Sequence, residues 1–156
     1  MTAFSGMGHI ALRVNDLERS LEFYRNLGFP EFLRLTQEDG RTWIAYLKVS
    51  DEMFIELFPG GDGSDVAGPR ATGVNHLCLT TDDIERTAAH LESVGIAATA
   101  PLVASRRGVD GNRGMWVSDP DGNRIEIMEM APDCVQYEAL KAVRAGGPAQ
   151  VLVRPI

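Results

Sequence analysis

One stretch of the chain occurs twice, first as His9-Ile-Ala-Leu-Arg-Val-Asn-Asp-Leu-Glu-Arg-Ser-Leu-Glu-Phe-Tyr24 and again as His76-Leu-Cys-Leu-Thr-Thr-Asp-Asp-Ile-Glu-Arg-Thr-Ala-Ala-His-Leu91. The two histidines are 67 positions apart, and so are the later glycines Gly28 and Gly95 (76 − 9 and 95 − 28). A repeat that keeps its register over this length indicates a tandem duplication. The sequence therefore predicts two modules built on one plan.

The first module has the pattern of a strand, a helix and three further strands. Side chains alternate in polarity over residues 9–14, which is the period of a strand with one buried face. Asn15 or Asp16 is suited to cap a helix that ends near Leu27, where Gly28 can close it. Further strands are predicted at about 29–35, 41–49 and 53–58, with a hairpin turn at Gln37-Glu-Asp-Gly40.

The second module follows the same plan after a linker at residues 59–72 that is rich in Gly, Asp, Ser and Pro. Its helix is predicted over 82–94, and its strands over 75–80, 96–100, 114–117 and 124–130. We therefore predict an α+β fold of two tandem βαβββ modules, about 7–58 and 73–130, within a single domain over residues 1–130. Residues 131–156 have no counterpart in the first module and are predicted to form a helical extension that covers an exposed surface or a neighbouring subunit.

Composition and charge exclude several classes of function. The formal net charge of −7 argues against a nucleic-acid partner, because phosphate binding requires a basic surface. No apolar run approaches the roughly 20 residues that span a bilayer, and residues 1–8 lack the pattern of a secretory signal. With only two cysteines, Cys78 and Cys134, a disulfide framework is not expected, and the sequence favours a cytoplasmic location without membrane association.

Four residues form the candidate metal site. Each module has a histidine at the start of its first strand and a glutamate in its last strand, namely His9 and Glu56, then His76 and Glu126. A single such residue is commonly structural or solvated, but helix packing and solubility do not require the same two types in both halves of a repeat. Two imidazoles and two carboxylates suit Ni²⁺, Co²⁺, Zn²⁺, Mn²⁺ or Fe²⁺ and leave two octahedral positions for water or substrate.

The chain resembles the vicinal oxygen chelate superfamily (glyoxalase, bleomycin resistance and ring-cleaving dioxygenase fold) over about residues 7–130. The resemblance rests on the spacing of His9 and Arg13, on Ile-Glu56-Leu, and on Asp119-Pro-Asp-Gly followed by Ile-Glu126-Ile. Its ligand pattern is similar to that of glyoxalase I (lactoylglutathione lyase). The resemblance implies one divalent metal ion per site, with Ni²⁺, Co²⁺ or Zn²⁺ favoured over Fe²⁺ or Mn²⁺, holding a substrate with vicinal oxygens and stabilising its enediolate.

The same resemblance assigns roles to individual residues. It implies that Glu126 takes a carbon-bound proton and that Glu56 acts on the opposite face, while Arg13 pairs with a carboxylate of a glutathione adduct. A homodimer is implied as well, with the metal site either within one chain or shared across two. One departure concerns the substrate: Gly60 stands where glyoxalase I has an asparagine that helps to hold glutathione.

Other interpretations remain open from the sequence. An epimerase of the same superfamily would use the same proton chemistry, although its usual second ligand is glutamine rather than the Glu56 found here. An Fe²⁺ dioxygenase would need only two histidines and one glutamate. A drug-binding resistance protein would need no ligand set at all. Arg106 and Arg107, which precede the penultimate strand, are expected to be solvated, with contact to an anionic substrate tail as the alternative.

Overall fold

The structure is a computed structural model that describes residues 4–64 and 66–151. The chain divides into two compact units. The first unit comprises the described residues up to Asn75 together with Ser118–Asn123, and the second comprises His76–Val117 together with the described residues from Arg124 onward. No helix among the described residues is long and apolar enough to cross a membrane.

The first unit contains a four-stranded sheet and one helix. Its elements are β1 (His9–Val14), α1 (Leu17–Leu27), β2 (Glu31–Thr36), β3 (Thr42–Lys48) and β4 (Phe54–Pro59). The strand order is β1-β4-β3-β2; β1 is parallel to β4, and β3 is antiparallel to both β2 and β4. The predicted βαβββ order of this module is confirmed.

Helix α1 begins and ends at the residues that the sequence indicates. The side chain of Asp16 accepts a hydrogen bond from the backbone N–H of Arg19 (3.1 Å), which satisfies one of the free donors of the first turn. Gly28 ends the helix at φ +107°, a conformation that glycine adopts without strain. The face of the helix that includes Leu21 and Tyr24 is buried.

The turn Ser118–Asn123 is attached to α1. The hydroxyl of Tyr24 donates to Asp119 Oδ2 at 2.9 Å in a buried position, and Asp119 also accepts hydrogen bonds from the backbone N–H groups of Asp121 and Asn123 (3.0 and 2.7 Å). Burial and the negative charge of Asp119 raise the pKa of Tyr24 far above its ordinary value. The turn that the sequence marks as a family motif is therefore an integral part of the helix packing.

The second unit contains a three-stranded sheet and two helices. Its elements are β5 (Leu77–Thr80), α2 (Ile84–Ser93), β6 (Arg113–Ser118), β7 (Arg124–Glu129) and α3 (Val135–Arg144). The strand order is β5-β7-β6, with β5 parallel to β7. The core of this unit consists of side chains that are almost fully buried, among them Ile84, Leu91, Val117, Ile125 and Ile127.

The predicted strand at residues 96–100 is wrong. This segment contributes only an isolated bridge between Ala100 and Trp116, supported by Thr99 N–H donating to Trp116 O at 2.8 Å. Apart from the buried Ile96, its side chains are small and bury little apolar surface, and Pro101 has no N–H with which to continue the pairing. The second module thus repeats the plan of the first with one strand fewer among its described residues.

The helical extension is confirmed as α3. Ala131 and Cys134, in the segment that precedes α3, are buried. On the helix itself, Tyr137, Leu140 and Val143 are exposed. Within the second unit, the backbone N–H of Val135 donates to Asp110 O at 3.0 Å. The extension is therefore attached to the loop that precedes β6.

Candidate active site

His9 and Glu56 meet on one face of the first sheet. Strands β1 and β4 are parallel neighbours in which Ala11 lies opposite Glu56. The Nε2 atom of His9 lies 3.8 Å from Oε2 of Glu56. The histidine side chain is 54% exposed and the glutamate side chain only 12%, so that the carboxylate lies deeper than the imidazole. The two side chains therefore lie on the same face of the sheet.

An aromatic cluster adjoins Glu56 through Tyr46. Tyr46 lies directly opposite it on β3, and desolvation, the charge of Glu56 and a hydrogen bond to that carboxylate together raise the pKa of Tyr46. The ring of Phe32 packs against Tyr46 and Phe54, with ring centroids 6.2 and 5.4 Å apart. Sequence reasoning did not single out Tyr46, although its place opposite Glu56 follows once the β3–β4 register is known.

His76 and Glu126 form the equivalent pair in the second unit. The Nε2 atom of His76 lies 3.3 Å from Oε2 of Glu126, and the side chains are 31% and 19% exposed. Cys78 lies opposite Glu126 across the β5–β7 pair. Although part of this residue is exposed, burial of its thiol beside the Glu126 carboxylate raises the pKa of Cys78 to about 11.

Trp116 borders the second pair. Its ring makes an edge contact with the imidazole of His76, with centroids 4.9 Å apart. The guanidinium carbon of Arg124 lies 4.4 Å from the centre of the indole, within the range of a cation–π contact. A pocket of about 350 Å³ adjoins Glu126 and is lined by Trp116, Met128 and Arg106, among others.

Arg13 lies next to the position at which the sequence departs from the glyoxalase I pattern. Its Nη1 donates to Pro59 O at 2.9 Å, and its guanidinium lies 5.7 Å from the ring centre of Phe58. A Cβ at Gly60 would lie 3.9 Å from the same nitrogen. Arg13 and Gly60 both line a pocket of about 460 Å³. The arginine expected to hold a carboxylate and the glycine that replaces the asparagine of the glyoxalase I pattern therefore border the same pocket.

The loop after β4 is fixed by Asn15. The side chain of Asn15 donates to Asp121 Oδ1 at 2.9 Å and accepts from the backbone N–H of Gly63 at 2.9 Å. Gly61 packs so closely that a Cβ there would lie 3.1 Å from the Cα of Asn15 and closer still to its side chain. Asn15 therefore holds the pocket wall, while the helix cap is provided by Asp16.

Comparison with known proteins decides the family. Residues 6–127 match the family described as the glyoxalase/bleomycin resistance protein/dioxygenase superfamily. The chain belongs to this superfamily. Among its relatives, the protein YaeR of Escherichia coli K12 is 30% identical over 131 residues, which is 83% of this chain and 99% of YaeR. A lactoylglutathione lyase of Pseudomonas aeruginosa is 30% identical over 148 residues, 78% of this chain and 80% of that enzyme.

A solved structure of the superfamily supports the same assignment. The glyoxalase family protein from Enterococcus faecalis matches with a TM-score of 0.69 and 25% identity, covering 82% of this chain and all of that one. The predicted α+β glyoxalase-like fold is thereby confirmed. The boundaries predicted for its modules and its extension stay predictions.

Each His–Glu pair is suited to the donor set that a metal of this superfamily would need. Two donors about 2.1 Å from one ion are separated by about 3.0 Å at a right angle and about 3.4 Å at the tetrahedral angle. The observed separations of 3.3 Å and 3.8 Å require at most a small side-chain movement. Within residues 4–64 and 66–151, no group of three or more His, Cys, Asp or Glu side chains that could hold a metal is found, and the four-residue ligand set stays a prediction.

Proposed function

We propose that the protein is a divalent-metal-dependent lyase or isomerase of the glyoxalase I type that acts on a small substrate with two vicinal oxygens. The observation that supports this proposal best is the recurrence of one His–Glu contact in both units, at 3.8 and 3.3 Å. The 30% identity to a lactoylglutathione lyase over most of both chains supports the same reaction class.

The metal would be held by His9, Glu56, His76 and Glu126, with Ni²⁺, Co²⁺ or Zn²⁺ favoured. When bound, a divalent ion supplies Lewis-acid stabilisation of negative charge that develops on the substrate oxygens. Each glutamate is largely shielded from water, and each lies beside a histidine that also faces the site. Such shielding strengthens electrostatic interactions within the site.

Glu126 is proposed as the general base that takes the carbon-bound proton, and Glu56 as the group that acts on the opposite face. A carboxylate can serve either role only if its neighbours leave an oxygen free to receive the proton. The thiol of Cys78 stays protonated at neutral pH, because its pKa is raised to about 11. It can therefore donate a hydrogen bond to Glu126 and hold the carboxylate in one orientation.

Arg13 is proposed to bind an anionic group of the substrate. Its Nη1 is already engaged by Pro59 O, so the guanidinium is oriented before a substrate arrives. A glutathione adduct is one candidate substrate, but Gly60 offers no side-chain amide to hold it. A small organic acid with vicinal oxygens is the alternative substrate.

The protein is proposed to act as a cytoplasmic homodimer. Cys78 and Cys134 are both free, which fits a reducing compartment. Whether the ligand set lies within one chain or across two can be decided by mixing inactive His9→Ala and His76→Ala variants. Activity that returns on mixing indicates a shared site, whereas no recovery indicates a site within each chain.

The function is tested with protein purified without chelator, in which bound metal is measured by mass spectrometry. The protein is then assayed with the methylglyoxal–glutathione hemithioacetal after addition of Ni²⁺, Co²⁺ or Zn²⁺. Turnover that disappears in His76→Ala, and persists in Glu52→Gln as an exposed control, supports the proposal. Stoichiometric metal without turnover would reject this substrate and point to an epimerase or another vicinal-oxygen reaction. Absence of metal binding would reject the metal-dependent class.

A further inference from the structure

The pocket beside Glu126 lies in the second unit, and the proposed chemistry does not say what it binds. Its volume is about 350 Å³, enough for a small organic molecule. Apolar side chains form much of its wall, and Glu126 reaches it from β7. The wall residues with apolar side chains are Ala100, Pro101, Val103, Trp116 and Met128.

Three of the four charged residues that line this pocket are paired. Glu126 contacts His76 at 3.3 Å. Arg113 is bound to Glu129 and Glu85, each at 2.8 Å. The third is Asp110, whose Oδ2 accepts from Nδ2 of Asn112 at 2.9 Å and from Nε2 of Gln136 at 2.8 Å. Asp110 and Arg113 are therefore already engaged by neighbouring side chains.

Arg106 is the fourth charged residue and differs from the others. In the described part of the chain, its side chain forms no ion pair or hydrogen bond, and only its backbone N–H is engaged, by Val103 O at 2.9 Å. An arginine that lines a partly apolar pocket without a counter-ion is suited to an anionic ligand, because the guanidinium can pair with both oxygens of a carboxylate or phosphate.

The loop that includes Arg106 is held by the C-terminal extension. Asn112 is 3% exposed, and its Oδ1 accepts from the backbone N–H of Ala131 at 2.8 Å. Its Nδ2 also lies 3.3 Å from Gln136 Oε1. On the loop side, the backbone N–H of Gly108 donates to Asn112 O at 2.8 Å. The start of α3 and the end of the loop thus share one hydrogen-bond network.

We propose that this pocket binds the anionic end of a small organic molecule with an apolar body, that Arg106 is its counter-ion, and that α3 positions the loop through Gln136 and Asn112. Glu126 lines the same pocket, so the anionic end would be bound next to the proposed general base. The assignment of this ligand as the substrate rests on the proposed function. The binding of an anion does not, and it takes up the alternative that Arg106, which is exposed, contacts an anionic group.

The test uses the fluorescence of Trp116, which needs neither metal nor turnover. The chain has two tryptophans, so a Trp43→Phe background leaves Trp116 as the reporter of the pocket. Iodide and acrylamide, an anionic and a neutral quencher, are compared on the same protein.

Arg106→Gln is expected to lower iodide quenching relative to acrylamide quenching about twofold, because one nearby positive charge enriches iodide by about this factor in water. Arg106→Lys is expected to retain most of the preference for iodide over acrylamide. Arg70→Gln, a remote control with the same change of charge, is expected to leave this preference unchanged.

The role of α3 is tested in the same background with Gln136→Ala. Acrylamide quenching is expected to rise, because the loop loosens, and the preference for iodide is expected to fall. Gln150→Ala, on the same C-terminal segment, is the matched control. A merely structural role would lower the unfolding temperature and leave the ratio of the two quenchers unchanged, which would reject Gln136 as a positioning residue.

Ligand binding is tested with benzoate against benzamide, its neutral counterpart. Benzoate is expected to protect Trp116 from iodide in the parent protein and to lose this effect in Arg106→Gln. Equal protection by benzamide, or an unchanged effect of benzoate in Arg106→Gln, would overturn the proposal. Failure of the hemithioacetal assay would leave these results unaffected, so the two proposals fail independently.

Discussion

The two His–Glu pairs differ in their surroundings more than in their geometry. In the first unit, Glu56 lies on a four-stranded sheet with Tyr46 opposite, and Phe32 packs against Tyr46 and Phe54. In the second, Glu126 lies on a three-stranded sheet with the thiol of Cys78 opposite and an open pocket beside it. The duplicated backbone places the pair, whereas the neighbours determine what each carboxylate can contact.

The difference follows from one missing strand. Where the first unit has β2 with its aromatic residue Phe32, the second has the segment 96–100, which forms only the Ala100–Trp116 bridge. Ala100, Pro101 and Val103 then line the pocket at Glu126 instead of completing the sheet. A pocket that could take a substrate therefore adjoins Glu126, which is consistent with its proposed role as base.

The largest expected effect tests this asymmetry directly. Glu126→Gln should lower kcat by about 10²- to 10⁴-fold, because amide cannot accept the proton, while Glu56→Gln should lower it less. The measurement is kcat together with bound metal in each variant, with Glu52→Gln as the control. Full turnover in Glu126→Gln with metal retained would remove Glu126 from the role of base, and a larger loss in Glu56→Gln would exchange the two roles.

The next largest effect concerns the hydrogen bonds that attach α1 to Asp119 and α2 to Glu129. Asp119→Ala should lower the free energy of unfolding by about 3 kcal/mol, because it leaves the buried Tyr24 hydroxyl and two backbone N–H groups without their acceptor. Glu129→Gln, which disturbs the more exposed contact between Glu129 and Ile84 N–H (3.0 Å), should cost less. Urea unfolding measures both, with Asp82→Ala as an exposed control. Equal losses would show that burial does not distinguish the two attachments.

A smaller effect should be the same in both units. Asp16 and Asp83 cap α1 and α2 alike, each accepting from a backbone N–H three residues later at 3.1 and 2.9 Å. Replacement of either by alanine should lower the free energy of unfolding by about 1 kcal/mol. The two losses should agree within experimental error in thermal unfolding. A large difference between them would show that the repeat is not equivalent at its helix starts.

The smallest effect is a pH dependence confined to the second unit. Burial opposes ionisation of Asp110, but hydrogen bonds from Gln136 and Asn112 outweigh it and lower the pKa of this carboxyl. Stability from the ionised form is thus present above the ordinary pKa near 4 and is lost as the pH falls through the lowered value. Asp110→Asn should therefore be less stable than the parent at pH 7, with a difference that shrinks below about pH 4.

Urea unfolding at several pH values measures the effect of Asp110→Asn, and Asp133→Asn, an exposed neighbour at the start of the extension, serves as the control. A stability difference that stays constant from neutral to acidic pH would show that ionisation of Asp110 contributes nothing. A difference of the same size in Asp133→Asn would show that the effect is general to acidic residues of this segment.

The sequence predicts those features that depend on local pattern. The alternation in residues 9–14, the cap of the first helix at Asp16 and the end of that helix at Gly28 all have a physical cause within a few residues, and their elements are confirmed. The contact between His9 and Glu56 depends in addition on the pairing of β1 with β4, which the order of the elements does not fix. The neighbours of the pairs are no more predictable, since Tyr46 lies opposite Glu56 only after the β3–β4 register is fixed.

Contacts between loops and distant segments escape prediction for a similar reason. Gln136 and Asp110 are 26 positions apart, and neither belongs to a periodic pattern. Arg106 has the sequence environment of an ordinary solvated arginine, and only the wall of the pocket distinguishes it. The strand expected at 96–100 fails because it was inferred from the repeat, whereas pairing also requires apolar side chains to bury.

The close approach of Gly61 to Asn15 limits how this protein can change in evolution or in the laboratory. Any side chain at position 61 would displace Asn15 and with it the loop beside Arg13, and position 60 has φ +87°, which disfavours other residues. Asp62 and Ser64, by contrast, are exposed and free of such constraints on volume. Libraries that aim to alter the selectivity near Arg13 will therefore yield folded variants at positions 62 and 64, and few at the two glycines.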